Sequence, residues 1–139
     1  MKGAGVVVAV FALAGCGGDA ENNLLSLPDR VAVLCREGAW DDAWDSVAAE
    51  FSAHGINRAQ ARMYVAKYLA DSGYRPYVAN VTTDPELEGE DERTLSVLGV
   101  LCRGDPNQAK PRHMKPFRLE VGVRRDGDDW LAVSATIHR

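Results

Sequence analysis

The closing third of this 139-residue chain alternates between apolar and polar residues, and no other feature of the sequence constrains the fold as strongly. One run extends from Phe117 to Val123 and a second from Leu131 to Ile137, with Asp126-Gly127 between them. A period of two is typical of a strand with one buried face, and Asp-Gly between two such runs is a hairpin signal. The sequence therefore predicts a C-terminal β-hairpin with one apolar face.

Two further strands are predicted upstream of the hairpin. The segment Tyr77 to Val81 alternates and is expected to end or bend at Pro85, after which the acidic residues Glu86 to Glu92 form a turn. The segment Leu95 to Leu101 is apolar on both parities, which favours a central strand covered on both faces. The prolines in the segment Gly104 to Pro116 indicate a long loop before the hairpin.

The first part of the chain has the spacing of helices. Apolar residues from Leu27 to Cys35 predict a first helix, with Pro28 in its first turn. A second helix is predicted to be capped by Asp41 or Asp42 and to carry the apolar stripe Trp44 to Phe51. Both helices precede every predicted strand.

A third helix is predicted to begin after Asn57. Gln60 is placed as the capping-box partner of Asn57, Ile56 can staple against Ala61, and Gly73 is a C-terminal stop. The expected apolar face consists of Ala59, Met63, Ala66 and Ala70. Two or three N-terminal helices packed on a curved antiparallel sheet of about four strands make an α+β domain.

The first sixteen residues have the organisation of an export signal. Lys2 gives a positive start, Val6 to Leu13 form an apolar run, and Leu13-Ala14-Gly15-Cys16 ends in the small-residue pattern of a cleavage site. The apolar run is shorter than the roughly 20 residues that a membrane span needs. The last four residues resemble the lipobox of bacterial lipoproteins, which implies cleavage before Cys16 and a lipid on its sulfur. A plain secretory signal is the alternative.

This interpretation divides the chain into three parts. Residues 1–15 are a lipoprotein signal peptide, residues 16–26 a lipidated tether, and residues 27–139 one folded domain of ordinary size. The expected location is the bacterial cell envelope, where the lipid on Cys16 holds the protein to the membrane. Gly17, rather than Asp, resembles outer-membrane sorting toward the periplasm if the source is Gram-negative.

The charge of the chain bears on its partners. The net charge is −4, and the loss of Lys2 with the signal makes it about −5. Such a balance disfavours nucleic acid and anionic lipid surfaces as partners. Arg124-Arg125 and the segment Lys110 to Lys115 are local basic exceptions, which we interpret as solvated turns.

Two cysteines remain after Cys16. Export places Cys35 and Cys102 in an oxidising compartment, where unpaired thiols are unusual, so a disulfide between them is predicted. The alternative is a catalytic thiol, which needs a nearby histidine, and neither cysteine has one within ten residues. His54, His113 and His138 stand far apart, so no metal site is predicted and no cofactor is expected.

The order of elements resembles the nuclear transport factor 2-like (cystatin-like) superfamily, as found in small bacterial lipoproteins, over about residues 28–138. The resemblance rests on the segment Asp42 to Phe51 leading into Gly55 to Gln60, and on the closing hairpin Arg125 to Trp130. It implies a cone in which helices and sheet can enclose an apolar pocket. The aromatic residues that could line such a pocket are Trp44, Phe51, Tyr64, Tyr68, Tyr77, Phe117 and Trp130.

Three functions are compatible with this sequence. The leading expectation is a non-catalytic, membrane-tethered domain that binds a small apolar ligand or an envelope protein. The alternative is a cone-fold isomerase or dehydratase, which needs a pocket carboxylate as base beside a tyrosine such as Tyr64 or Tyr77. A domain with a filled core and no cavity is the third.

Overall fold

The computed structural model describes residues 10–83 and 91–138, and their side chains from residue 22 onward. The elements in chain order are α1 (Val10–Arg36), α2 (Trp40–Trp44), β1 (Val47–Ala53), β2 (Ile56–Asn57), α3 (Arg58–Ser72), β3 (Arg75–Thr83), β4 (Glu92–Cys102), a 3₁₀ turn (Pro111–His113), β5 (Met114–Asp126) and β6 (Asp129–His138). Residues 1–9 of the predicted signal and the side chain of Cys16 lie outside this description, as do residues 84–90, which include Pro85 and most of the turn predicted from Glu86 to Glu92. Glu92 itself is the first residue of β4 instead of part of a turn. Within the described ranges, no helix combines the length and the apolar character needed to cross a bilayer.

The strands form one sheet in the order β2-β1-β6-β5-β4-β3. Its last four strands in chain order are the antiparallel meander predicted from the sequence, and the pair Asp126 and Asp129 closes the predicted hairpin. β1 joins β6 in parallel and β2 pairs back onto β1, so the sheet has six strands rather than about four. The α+β class is confirmed, whereas the predicted strand count is wrong.

β4 lies inside the sheet, as predicted, because it pairs with β3 on one side and β5 on the other. Leu95 and Val97 on this strand are buried, but Leu98 is 43% exposed, so the strand is not covered on both faces along its length. The loop predicted from Gly104 to Pro116 is also shorter than expected, since β5 begins at Met114.

The predicted second helix is largely a strand. α2 is a single short turn of helix, and β1 occupies most of the segment that was expected to continue it. Ala48 and Phe51 of β1 are both buried although they lie three positions apart, which imitates helical spacing. The cause is a register shift of β1 against β6, since an irregular pairing breaks the two-residue period of a strand.

α1 is longer than predicted and passes through the predicted tether. Its backbone is helical from Val10 to Arg36, so Pro28 lies inside the helix instead of in its first turn. Leu24 is completely buried, which shows that the segment predicted as a tether contributes to the core. The folded domain therefore begins before residue 27.

α3 begins as predicted. The Asn57 side chain accepts a hydrogen bond from the Gln60 backbone N–H at 2.9 Å, and the Gln60 side chain accepts one from the Asn57 N–H at 2.9 Å. Gly73 ends the helix in the left-handed region at φ 76°, where a side chain would be strained. The capping box and the C-terminal stop are thus confirmed.

The buried face of α3 differs from the predicted one. Ala61 and Leu69 are buried, whereas Met63 is 71% exposed. The rotation of the helix is fixed at its first residue, because Arg58 donates to the Trp44 carbonyl at 2.6 Å and to the Val47 carbonyl at 3.0 Å. Trp44 returns a hydrogen bond from its Nε1 to the Arg58 carbonyl at 3.1 Å. A polar network at the start of the helix therefore determines which face packs inward.

The core consists of two clusters that meet at Val31 of α1, a residue that packs against both. The first cluster joins α1, α2, β1 and α3, and its buried members are Cys35, Ala43, Trp44, Phe51, Ala61, Leu69 and Tyr74. The second cluster joins α1 to the meander, and its buried members are Leu24, Leu27, Leu95, Val97, Val123 and Trp130.

The predicted disulfide is absent from this structure. Cys35 and Cys102 are both buried free thiols. The Cys35 thiol lies in the first cluster, and burial raises its pKa from the ordinary 9.0 to about 11. The Cys102 Sγ lies 3.7 Å from the Arg103 carbonyl oxygen, which accepts its hydrogen bond. Each thiol is thus accommodated by its own surroundings instead of by the other.

Gly99→Ala is expected to destabilise the sheet. A Cβ at position 99 would collide with the Tyr77 carbonyl oxygen and with the Phe117 ring, and the first of these is backbone that cannot rotate away. We expect a loss of about 2–3 kcal/mol in the free energy of unfolding, measured by chemical denaturation. Gly122→Ala is the control, because its Cβ would first meet the Ser134 hydroxyl, which can rotate. Equal losses in the two variants would contradict this account.

The Cys35 thiol predicts a pH dependence of stability. The pKa is about 11 in the folded protein and near 9.0 in the unfolded chain, so between these values the folded state holds more protons and loses stability as the pH rises. The contribution is fully present below pH 9 and amounts to about 2–3 kcal/mol. Denaturation between pH 8 and 11 should give a steeper decline for the natural chain than for Cys35→Ala. Parallel curves would show that burial of this thiol has no such effect.

Candidate functional site

Four of the predicted pocket aromatics lie within the core. Trp44 and Phe51 belong to the first cluster, Trp130 belongs to the second, and Phe117 packs against the second. They fill the space between helices and sheet instead of facing a common cavity in the described part of the chain. Their role in this structure is packing.

The three predicted tyrosines lie apart from those core residues. Tyr64 is 62% exposed and Tyr68 is 43% exposed on the outer surface of α3. Tyr77 on β3 lies under the Arg36 guanidinium, with 4.3 Å between the guanidinium carbon and the ring centroid. The predicted set is therefore divided between core and surface.

A cleft of about 350 Å³ lies on the sheet across β1, β4, β5 and β6. Its central feature is a two-point ion pair across β6: Arg124 Nε lies 2.6 Å from Glu50 Oε2, and Arg124 Nη2 lies 3.1 Å from Glu50 Oε1. The hydrogen bond from Arg124 lowers the pKa of Glu50, and the same bond raises the pKa of Arg124. The ion pair thus connects β1 to β5 across the intervening β6, and the lowered pKa of Glu50 does not suit a general base.

A second surface gathers positive charge at one end of the molecule. We call it the basic end and define it by Arg36, Arg75, Arg103, Lys110, Arg112 and Lys115. The strand register brings its members together, because Arg75 lies opposite Cys102 and Lys115 lies opposite Leu101. Lys110 and Arg112 belong to the short connection that leads from β4 into β5. The sequence indicated only the basic segment 110–115. Arg36, Arg75 and Arg103 are far from it along the chain, so no local pattern connects them with it.

Four cations of the basic end, Arg36, Arg75, Arg103 and Lys115, are held by aromatic rings or carbonyl oxygens. Tyr74 lies at its centre, with the Arg103 guanidinium carbon 4.3 Å and Lys115 Nζ 5.1 Å from the ring centroid. Arg103 Nε also donates to the Ser72 carbonyl at 2.8 Å. Arg75 donates to the Leu69 carbonyl at 3.0 Å, where the C-terminus of α3 favours positive charge. None of these contacts neutralises a charge.

The opposite end of the molecule carries charges of both signs. Asp126, Asp128 and Asp129 form the β5–β6 turn, and Asp91 is joined to the same region because its carbonyl accepts from the Arg125 N–H at 2.8 Å. Arginines lie among these acids, and Arg30 Nη2 is 3.1 Å from the Asp129 carboxylate. Unlike the basic end, this region therefore has its cations beside carboxylates.

The histidines remain apart in the structure. His138 Nε2 lies 3.3 Å from Glu120 Oε1, and His54 accepts a hydrogen bond from the Ile137 N–H at 3.3 Å. Among the residues that the structure describes, no three of the His, Cys, Asp and Glu side chains gather in a geometry suited to a metal ion.

Comparison with known proteins supports the fold. No family model and no curated protein matches the sequence. An NTF2-like protein with a cystatin-like fold from Novosphingobium aromaticivorans is 14% identical, with a TM-score of 0.66 and coverage of 91% of this chain and 86% of that one. The protein Aln2 from a Streptomyces species is 9% identical, with a TM-score of 0.68 and coverage of 86% of this chain and 89% of that one.

A third solved structure has a similar fold. An NTF2-like protein of unknown function from Pseudomonas putida is 16% identical, with a TM-score of 0.63 and coverage of 81% of this chain and 80% of that one. Likeness at such low identity establishes architecture and leaves activity open. The chain thus has an NTF2-like, cystatin-like fold, which confirms the fold that the sequence resemblance implied.

Proposed function

We propose that this protein is a lipid-anchored domain of the bacterial cell envelope, without catalytic activity, that works by binding a protein partner at its surface. The observation that carries the proposal is the filled space between α1 and the sheet. Leu24 and Leu27 occupy that space together with Leu95, Val97 and Trp130, all of them 3% exposed or less. The part of a cone that could hold a ligand is here packed with the protein's own side chains.

The filled core favours surface binding over a carrier of small ligands and over an isomerase or dehydratase, and it agrees with the expectation of a structural or interaction protein that has no cavity. A carrier of small apolar ligands needs an open cavity lined by apolar groups. An isomerase needs a carboxylate and a donor that converge on one substrate atom, and Tyr64 and Tyr77 lie on different elements with different surroundings. The surface, in contrast, offers exposed aromatic residues beside the basic end.

The position of α1 determines how the proposed anchor would orient the domain. Asn23 Nδ2 donates to the Asp128 carbonyl at 2.6 Å, which ties this part of α1 to the acidic turn between β5 and β6. Cys16 precedes Asn23 by seven residues, which is about 10 Å along a helix. A lipid on Cys16 would therefore lie near the β5–β6 turn. Arg36, at the other end of α1, is about 20 Å from Asn23 along the helix axis, so the basic end would project away from the membrane.

Lipidation is tested by metabolic labelling with a fatty acid analogue. The natural chain should incorporate the label and sediment with membranes, whereas Cys16→Ser should do neither, because the acyl chains attach through that sulfur and provide the membrane affinity. Cys35→Ser is the matched control and should be labelled normally, since its thiol is buried. A natural chain that remains unlabelled, full length and cytosolic would refute the anchor.

The choice between protein partner and small ligand is tested by native mass spectrometry of the protein purified from its own envelope. We expect the mass of the chain alone or with a second protein, because the space between α1 and the sheet is already occupied by side chains. A small molecule that co-purifies at equal stoichiometry, and that is displaced when Leu95 is replaced by Trp, would establish a ligand carrier instead.

A further inference from the structure

We infer that the basic end is a docking surface for an acidic segment of a partner protein. The inference deepens the proposed function, on which it rests, by naming the surface and the chemistry of the partner. The surface comprises the six cations of the basic end together with the neighbouring exposed tyrosines of α3.

The cations of the basic end are not compensated by nearby acids. Among the described residues, none of the six forms an ion pair with a carboxylate. Elsewhere on the surface the pattern is different, since Arg124 is paired with Glu50, Arg62 with Asp41 and Lys67 with Asp71. Arg118 and Arg125 also form no ion pair with a described carboxylate, so the basic end is distinguished by the concentration of six such cations in one region.

The positions of four of the six charges, those of Arg36, Arg75, Arg103 and Lys115, are fixed before any partner arrives. Arg36 donates to the Pro76 carbonyl at 2.9 Å, and Arg75 donates to the carbonyls of Leu69 and Tyr74. Arg103 and Lys115 are both held against the ring of Tyr74. Groups that are already ordered lose less conformational entropy on binding, which is the usual advantage of a pre-organised interface.

Exposed aromatic surface adjoins the charges. Tyr68 stacks on Tyr74 with their ring centroids 6.5 Å apart, and Tyr64 lies one helical turn before Tyr68 on the same side of α3. Met63 is exposed beside them. Tyrosine, methionine and arginine are the residue types enriched where proteins bind proteins. The patch can therefore contact apolar groups that flank the acids of a partner.

An acidic protein segment fits this surface better than an extended polyanion. The chain as a whole carries a net charge of −4, so a membrane surface or a nucleic acid repels most of it. A short segment interacts only with charges within a screening distance of about 8 Å, where the basic end dominates. The proposed anchor also directs this end away from the lipid.

Binding is tested with a fluorescein-labelled peptide rich in glutamate and tyrosine, titrated with the full chain in a non-ionic detergent. Anisotropy should rise at low salt and fall with added salt, and a lysine-rich peptide of equal length should not bind. Arg112→Glu should weaken peptide binding about fivefold, since this exposed side chain has no structural contact to lose. Arg118→Glu makes the same charge change at an exposed site on β5 and should alter binding less than about twofold.

Four other results would overturn the inference. Equal effects of the two substitutions, or no binding by the natural chain, would overturn the inference. Binding to phosphatidylglycerol vesicles without binding to the peptide would assign the surface to lipid and overturn it too, as would salt-sensitive self-association abolished by Arg112→Glu. The titration does not require the lipid, so a failure of fatty acid labelling would refute the anchor without affecting this measurement.

Discussion

The packing of α1 on the sheet is the interaction on which the rest of this structure depends. Leu24 and Leu27 lie against Leu95 and Val97, and burial of each such side chain contributes about 1.5–3 kcal/mol. The helix also reaches the first cluster through Cys35, so one element connects both parts of the core. This single contact fills the space between the helices and the sheet with the protein's own side chains.

The sequence predicts those parts of the fold that keep a regular period. The closing hairpin and the capping box of Asn57 are confirmed, because both depend only on neighbouring residues. β1 could not be recognised, since its shifted pairing with β6 places Ala48 and Phe51 at helical spacing. The rotation of α3 depends on Arg58 reaching carbonyls in α2 and β1, a contact that no local pattern reveals. The basic end was missed for a similar reason, because its charges come from separate elements.

An oxidising location would not require the two cysteines to form a disulfide, because both thiols are buried in this structure. Unpaired cysteines are rare outside the cytosol because exposed thiolates react, but the thiolate of Cys35 is disfavoured by its apolar surroundings. With a pKa of about 11, only about a thousandth of this thiol is ionised at pH 8. Burial therefore keeps this thiol almost entirely protonated, and the protonated thiol is the unreactive form.

Pro28 inside α1 has a consequence for how this helix unfolds. A proline has no N–H to donate, so the carbonyl of Leu24, four residues earlier, lacks its usual helical partner. The hydrogen-bond ladder is interrupted at this point, and the turns on either side do not support each other as in an unbroken helix. The break falls between the turns that Leu24 and Leu27 hold in the second cluster and the turn that Cys35 holds in the first, so the two parts of α1 can unfold separately.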